Sequence, residues 1–187
     1  MLPRRPAGSG RRIRLYALLS GDRFVTSGAR PGITLLRDPV HLLAFGFGMG
    51  LSPWAPGTFG TLLALPLAWL MMDWPIGARI AVVAAVILGG IWICGASARR
   101  LGVHDHPAIV LDEIAAMLLI ALVLPKEPVW FALAFISFRF FDIVKPWPIR
   151  DIDHRLQGGI GIMLDDLMAA VYSIVCLWLI SYLQIVA

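Results

Sequence analysis

Residues 107–124 read PAIVLDEIAAMLLIALVL. The run is long enough to cross a bilayer, because a spanning helix needs about 20 mostly apolar residues, within a range of about 17–25. It also carries two adjacent carboxylates, Asp112 and Glu113. A carboxylate beside hydrocarbon is costly, and such residues usually face a polar interior site or a partner. Proline is favoured at the first position of a helix and pushes the residue before it out of the helical region. The sequence therefore predicts a helix starting at Pro107, with Asp105 or His106 near its cap and both acids within about two turns of that start. One acid there would complement the helix dipole. Two in succession, followed at once by IAAMLLIALVL, suit that account poorly and point to a functional role. Asp165-Asp166 repeats the arrangement after the Gly-rich stretch 158–164 (GGIGIML), with both acids expected in the first turn of another apolar helix.

The rest of the chain is of the same kind. It is 59% hydrophobic and 15% charged over 187 residues, against about 25% charged in a soluble domain. This composition predicts an integral membrane protein, all-α, built as a polytopic helical bundle. Five spans are expected: 58–74 (with Pro66 as a possible kink), 76–98, 107–124, 128–144 and 164–186. Residues 39–49 are too short to span and read as an interfacial or re-entrant segment. Cys94 and Cys176 lie inside apolar runs and read as packed thiols.

Charge divides the chain in two. Residues 1–37 hold eight Arg and one Asp, a net of +7, and the remainder a net of −3. Residues 1–37 thus read as a flexible basic tail drawn to anionic headgroups, preceding a membrane-embedded domain at 38–187. The apolar run 15–19 is too short for a signal peptide. Nothing beyond the basic arm supports nucleic-acid binding. With the amino terminus in the cytoplasm, five alternating spans place the longer loops, 46–60, 99–106 and 145–163, on the cytoplasmic side, with Arg99, Arg100, Lys145, Arg150 and Arg155, as the positive-inside rule requires. Arg79 and Lys126 are the exceptions. All the motif-like segments then share one membrane face.

The residue types at that face suit phosphoester chemistry on a lipid. Paired carboxylates are the hard oxygen ligands that Mg²⁺ prefers, and Mg²⁺ commonly binds substrate phosphate as well. Few histidines and no paired cysteines argue against zinc. The candidate metal ligands are Asp105, Asp112, Glu113, Asp165 and Asp166. Arg139 and Asp142 are three residues apart and share a helix face, either as a salt bridge at a helix end or as part of the site. Arg139, Lys145 and Arg150 are candidates for binding phosphate, since Arg matches it bidentately and Lys acts as a point charge. In the stretch 46–61 (GFGMGLSPWAPGTFGT), Ser52, Thr58 and Thr61 could contact a ligand or cap a helix. Its glycines would either donate to phosphate or permit close helix packing.

Four segments, GLSPWAPGTFGT at 50–61, DHPAIVLDEIAAM at 105–117, FDIVKPWPIRDID at 141–153 and GGIGIMLDDLMAAVY at 158–172, together resemble the phosphatidylglycerophosphatase A family. Ala116 and Ala170 stand where that pattern has glycine. The resemblance covers about residues 38–187 and implies an all-helical fold. It implies Mg²⁺-dependent hydrolysis of phosphatidylglycerophosphate to phosphatidylglycerol and phosphate in the bacterial cytoplasmic membrane. Asp112, Glu113, Asp142 and Asp166 are the expected catalytic residues, with either direct attack by water or a phosphoenzyme. A divalent-cation channel or transporter is the alternative, since acidic groups at membrane depth also line ion paths. An inactive lipid-binding relative is a third possibility. Oligomeric state is left open.

Overall fold

The computed structural model describes residues 32–103, 106–147, 149, 156 and 158–186. Asp105, Arg150 and residues 1–31 of the expected tail lie outside the described residues. Among those described, all regular structure is helical. A 3-10 turn at Ile33–Arg37 leads into α1 (Pro39–Ala44) and a second 3-10 stretch at Gly46–Leu51. Then come α2 (Pro56–Met71), α3 (Ile76–Leu101), α4 (Leu111–Ala121), α5 (Pro128–Val144) and α6 (Gly158–Val186).

The amino-terminal elements form a collar on the bundle. Asp38 caps α1, accepting from the Val40 backbone N–H at 2.9 Å, with Pro39 at the first helical position. Its other carboxylate oxygen pairs with Arg100 at the end of α3. Buried His41 is tied to buried Ser97 of α3 through Nδ1 and Oγ, 2.9 Å apart, and its ring stacks on Phe45. Leu35 and Leu36 pack against the core cluster that contains Ala44, Phe45 and Cys94. The packed structure thus begins before residue 38, inside the stretch expected to be tail.

The centre of the bundle is α4. Eight of its eleven residues are buried, from Asp112 through Ala121. A helix that is hydrophobic all round belongs inside a structure, and α4 contacts α2, α3, α5 and α6. At 1.5 Å per residue its length is about 17 Å, short of the roughly 30 Å hydrocarbon layer. The expected span 107–124 is therefore helical only over 111–121. Residues 106–110 instead make a strap. His106 Nδ1 accepts from Ala108 N–H at 3.1 Å, His106 O accepts from Ile109 N–H at 2.8 Å, and Val110 N–H donates to Ala44 O of α1 at 2.8 Å. These bonds satisfy the strap's backbone outside any helix, so Pro107 opens a turn rather than α4.

The strap accounts for two glycines of the Gly-rich stretch. A Cβ on Gly50 would lie 2.0 Å from Ala108 O, and one on Gly60 would lie 2.7 Å from Val110 Cβ. Both allow close packing against the strap. Around α4, two helices, Ile76–Leu101 and Gly158–Leu183, are long and apolar enough to cross a membrane. Pro56–Met71 is apolar but shorter. The outer faces of α2, α3, α5 and α6 expose large apolar side chains, among them Leu70, Leu88, Trp92, Ile136, Phe140 and Trp178.

Candidate active site

The helix boundaries exchange the settings of the two acid pairs. Because α4 starts at Leu111, Asp112 and Glu113 stand in its first turn. There the unsatisfied N–H groups and the positive end of the dipole favour negative charge. The Glu113 N–H is itself turned to Asp112 Oδ1 at 3.1 Å. Because α6 starts at Gly158, Asp165 and Asp166 lie about two turns inside it. The dipole effect fades within the first turn, so it does little for them, yet both are buried. They must be stabilised by what they face.

Asp165 and Asp166 face different groups, as neighbours about 100° apart on a helix do. Asp165 Oδ2 accepts from Lys145 Nζ at 2.6 Å. Asp166 turns toward α4, where one carboxylate oxygen from each of Asp112, Glu113 and Asp166 lies within 4.8 Å of the others. Asp166 also interacts with the charges of Asp142 and Asp165. From α5, Arg139 Nη1 lies 2.6 Å from Asp142 Oδ2 and 3.8 Å from Glu113 Oε1. Thus Arg139 and Asp142 do form a salt bridge, and the same guanidinium reaches the α4 acid. Lys145 ends α5 in the left-handed region, with φ 43° and ψ 66°.

The remaining expected phosphate contacts are placed differently. Ser52 Oγ makes a local turn, donating to Trp54 O at 2.9 Å. Thr61 is fully buried, and its hydroxyl donates to Gly57 O at 2.9 Å. Thr58 lies one turn before it in α2, half-buried. A group not singled out from the sequence is Gly57 itself. A Cβ there would fall 2.1 Å from Glu113 Oε1. The sequence marked it only together with the other glycines of 46–61, as residues that would donate to phosphate or permit close packing.

Three carboxylates this close repel one another unless a cation or protons intervene. The donor set is all oxygen, and Glu113 Oε2 is buried with no hydrogen-bond partner. A buried carboxylate oxygen in that position is expensive without a partner. The cluster therefore fits a hard divalent cation better than a soft one. An apolar cavity of about 310 Å³, lined by Leu124, Trp130, Leu177 and Trp178 among others, sits at the opposite end of the bundle.

The chain is similar to known proteins over most of its length. The family model described as Phosphatidylglycerophosphatase A matches residues 42–181. The chain is 44% identical over 148 residues to the phosphatidylglycerophosphatase A of Escherichia coli K12, covering 79% of this chain and 86% of that protein. It is 41% identical over 150 residues to that of Haemophilus influenzae, covering 79% and 91%. A Bacteroides thetaiotaomicron protein provisionally named a phosphatidylinositol-3-phosphatase is 36% identical over 143 residues, covering 72% and 88%. No solved structure matches.

Proposed function

Since the chain belongs to the phosphatidylglycerophosphatase A family, we propose that it hydrolyses phosphatidylglycerophosphate to phosphatidylglycerol and inorganic phosphate, with Mg²⁺, at the cytoplasmic face of a bacterial membrane. The observation that carries the site is the meeting of Asp112, Glu113 and Asp166 from two helices beside Arg139. Asp112, Glu113 and Asp166 are the residues that would hold the cation. When bound, Mg²⁺ supplies positive charge that polarises the phosphate and makes water a better nucleophile.

The chain's own groups do the rest. A carboxylate of the cluster accepts the proton of the attacking water. The new P–O bond forms as the bond from phosphorus to the glycerol oxygen breaks, and that oxygen leaves as an alcohol after taking up the proton the carboxylate accepted from water. Arg139 and Lys145, with Arg150 as an additional candidate, neutralise charge growing on the phosphoryl oxygens. Asp142 orients Arg139 through their 2.6 Å contact. We assign Asp165 to holding Lys145.

The membrane reading rests on the exposed apolar faces and on connectivity. The chain runs from the carboxylate end to the far end through α2 and back through α3. It repeats this through α4 and α5, and α6 then leaves for the far end; on this reading the five helices alternate in direction, with short α4 at the centre and the other four around it. Arg99, Arg100 and Lys145 lie at the carboxylate end, which favours the cytoplasm. At the far end, Lys126 pairs with Asp73 and lies over the Trp69 ring at 5.3 Å, as aromatic and cationic groups do at headgroup level. A cation channel finds no support: the relatives are phosphatases, and the interior of α4 beyond its acids is apolar.

Phosphate release from purified protein, with Mg²⁺ or with EDTA and across several phospholipid monoesters, tests the proposal. Turnover should require Mg²⁺ and be fastest on phosphatidylglycerophosphate. Asp112→Asn and Asp166→Asn should abolish it while leaving membrane insertion and melting temperature intact. Full activity in EDTA or in either variant refutes the assignment.

A further inference from the structure

We propose that Gly57 is a positioning residue for the phosphatase reaction. The missing side chain lets the first turn of α2 lie against Glu113 and Arg139 and sets where their charged ends stand. The proposal rests on the reading of the carboxylate cluster as the active site.

Glycine is a poor helix former, so its presence in the first turn of α2 needs a reason. The backbone offers none, because Gly57 is helical and is absent from the positive-φ glycines. Space does. A Cβ would lie 2.1 Å from Glu113 Oε1, 3.1 Å from its Cδ and 3.0 Å from Arg139 Nη1. By contrast, a Cβ at Gly77 or Gly89 would meet nothing within 4 Å. The turn is also anchored: Pro56 fixes the helix start, and buried Thr61 donates to Gly57 O.

The colliding atom decides what a methyl group would do. It is the tip of a side chain rather than backbone, so α2 can stay in place while the carboxylate retreats by about 1 Å to a normal contact. A misplacement of about 1 Å can cost about 10²-fold in rate. The fold should survive, and the geometry around Glu113 and Arg139 should not.

The test is Gly57→Ala made in two backgrounds. In otherwise wild-type protein, kcat should fall about 10²-fold with a nearly unchanged melting temperature. In Glu113→Asp, whose side chain is one methylene shorter, the same methyl group should cost less than about threefold, because the carboxylate has already withdrawn. If Glu113→Asp is too slow to assay, kcat of Gly57→Ala in the otherwise wild-type protein decides; if Gly57→Ala is too unstable to assay, Glu113→Asp should restore its melting temperature. An unimpaired Gly57→Ala enzyme, or an equal loss in both backgrounds, overturns the proposal while leaving the active site as assigned. Wild-type turnover in Glu113→Gln overturns the active-site reading, and the proposal with it.

Discussion

Gly159→Ala should be among the most damaging single-methyl additions in this protein. Gly159 is where α6 meets α3. A Cβ there would lie 1.7 Å from Ile91 O and 2.8 Å from Gly95 N. Both are backbone atoms, so no rotamer change relieves the overlap and the helices must separate by more than 1 Å. Overpacking a tight interface costs about 1–3 kcal/mol, occasionally more, and a backbone collision belongs at the upper end. At about 2–4 °C per kcal/mol for a chain of this size, the melting temperature should fall by roughly 6–12 °C. Asp166 lies seven residues on, two turns along the same face of α6, so the displacement should reach the carboxylate cluster. Turnover of the folded fraction should drop about 10²-fold. The control is Gly89→Ala on α3, which adds a methyl group to open space and should leave turnover alone while gaining up to about 1 kcal/mol of helix propensity. Both are read by thermal unfolding in detergent and by phosphate release. A Gly159→Ala protein that melts and turns over like wild type would refute the packing that places Asp166.

Thr61→Val removes a buried hydroxyl that donates within α2; it should cost about 1 kcal/mol of stability and leave KM unchanged, whereas a raised KM would restore Thr61 as a phosphate contact. Arg139→Lys exchanges a fork that reaches Asp142 and Glu113 for a point charge; kcat should fall about tenfold or more, equivalent to ~1.4 kcal/mol, and unchanged steady-state kinetics would count against its role. Burial holds the His41 imidazole below its ordinary pKa of 6.5; Asp38 opposes this shift and Arg100 reinforces it. The unfolded chain therefore takes up the proton first, and stability should decline as pH falls below about 6.5, by at most ~1.4 kcal/mol per unit. Comparing melting temperatures of wild type and His41→Gln between pH 8 and pH 5.5 isolates this contribution, and parallel curves would exclude it.

Helix type was legible because apolar runs bounded by Pro and Gly leave few alternatives, and α3 (Ile76–Leu101) and α5 (Pro128–Val144) begin where those signals lie. Two other starts were misplaced for physical reasons. Pro107 looked like a first helical position, but long-range bonding of Val110 to Ala44 draws residues 106–110 into a strap. Gly158 looked like a loop glycine, but its φ of 76° opens α6 a turn and a half ahead of the place expected. Those shifts moved one acid pair into a first turn and the other out of one.

From sequence alone came the doubled carboxylates, their setting in hydrocarbon and the cations on the neighbouring segment. These are properties of residue type and short spacing, which the chain carries whatever its fold. The division of labour between Asp165 and Asp166 was not available at that level. Adjacent residues diverge by about 100°, and which one turns toward α4 depends on the rotation of α6, set where Gly159 touches Ile91 and Gly95. The contact of Gly57 with Glu113 likewise joins residues 56 positions apart, and only the packing of α2 against α4 brings them together.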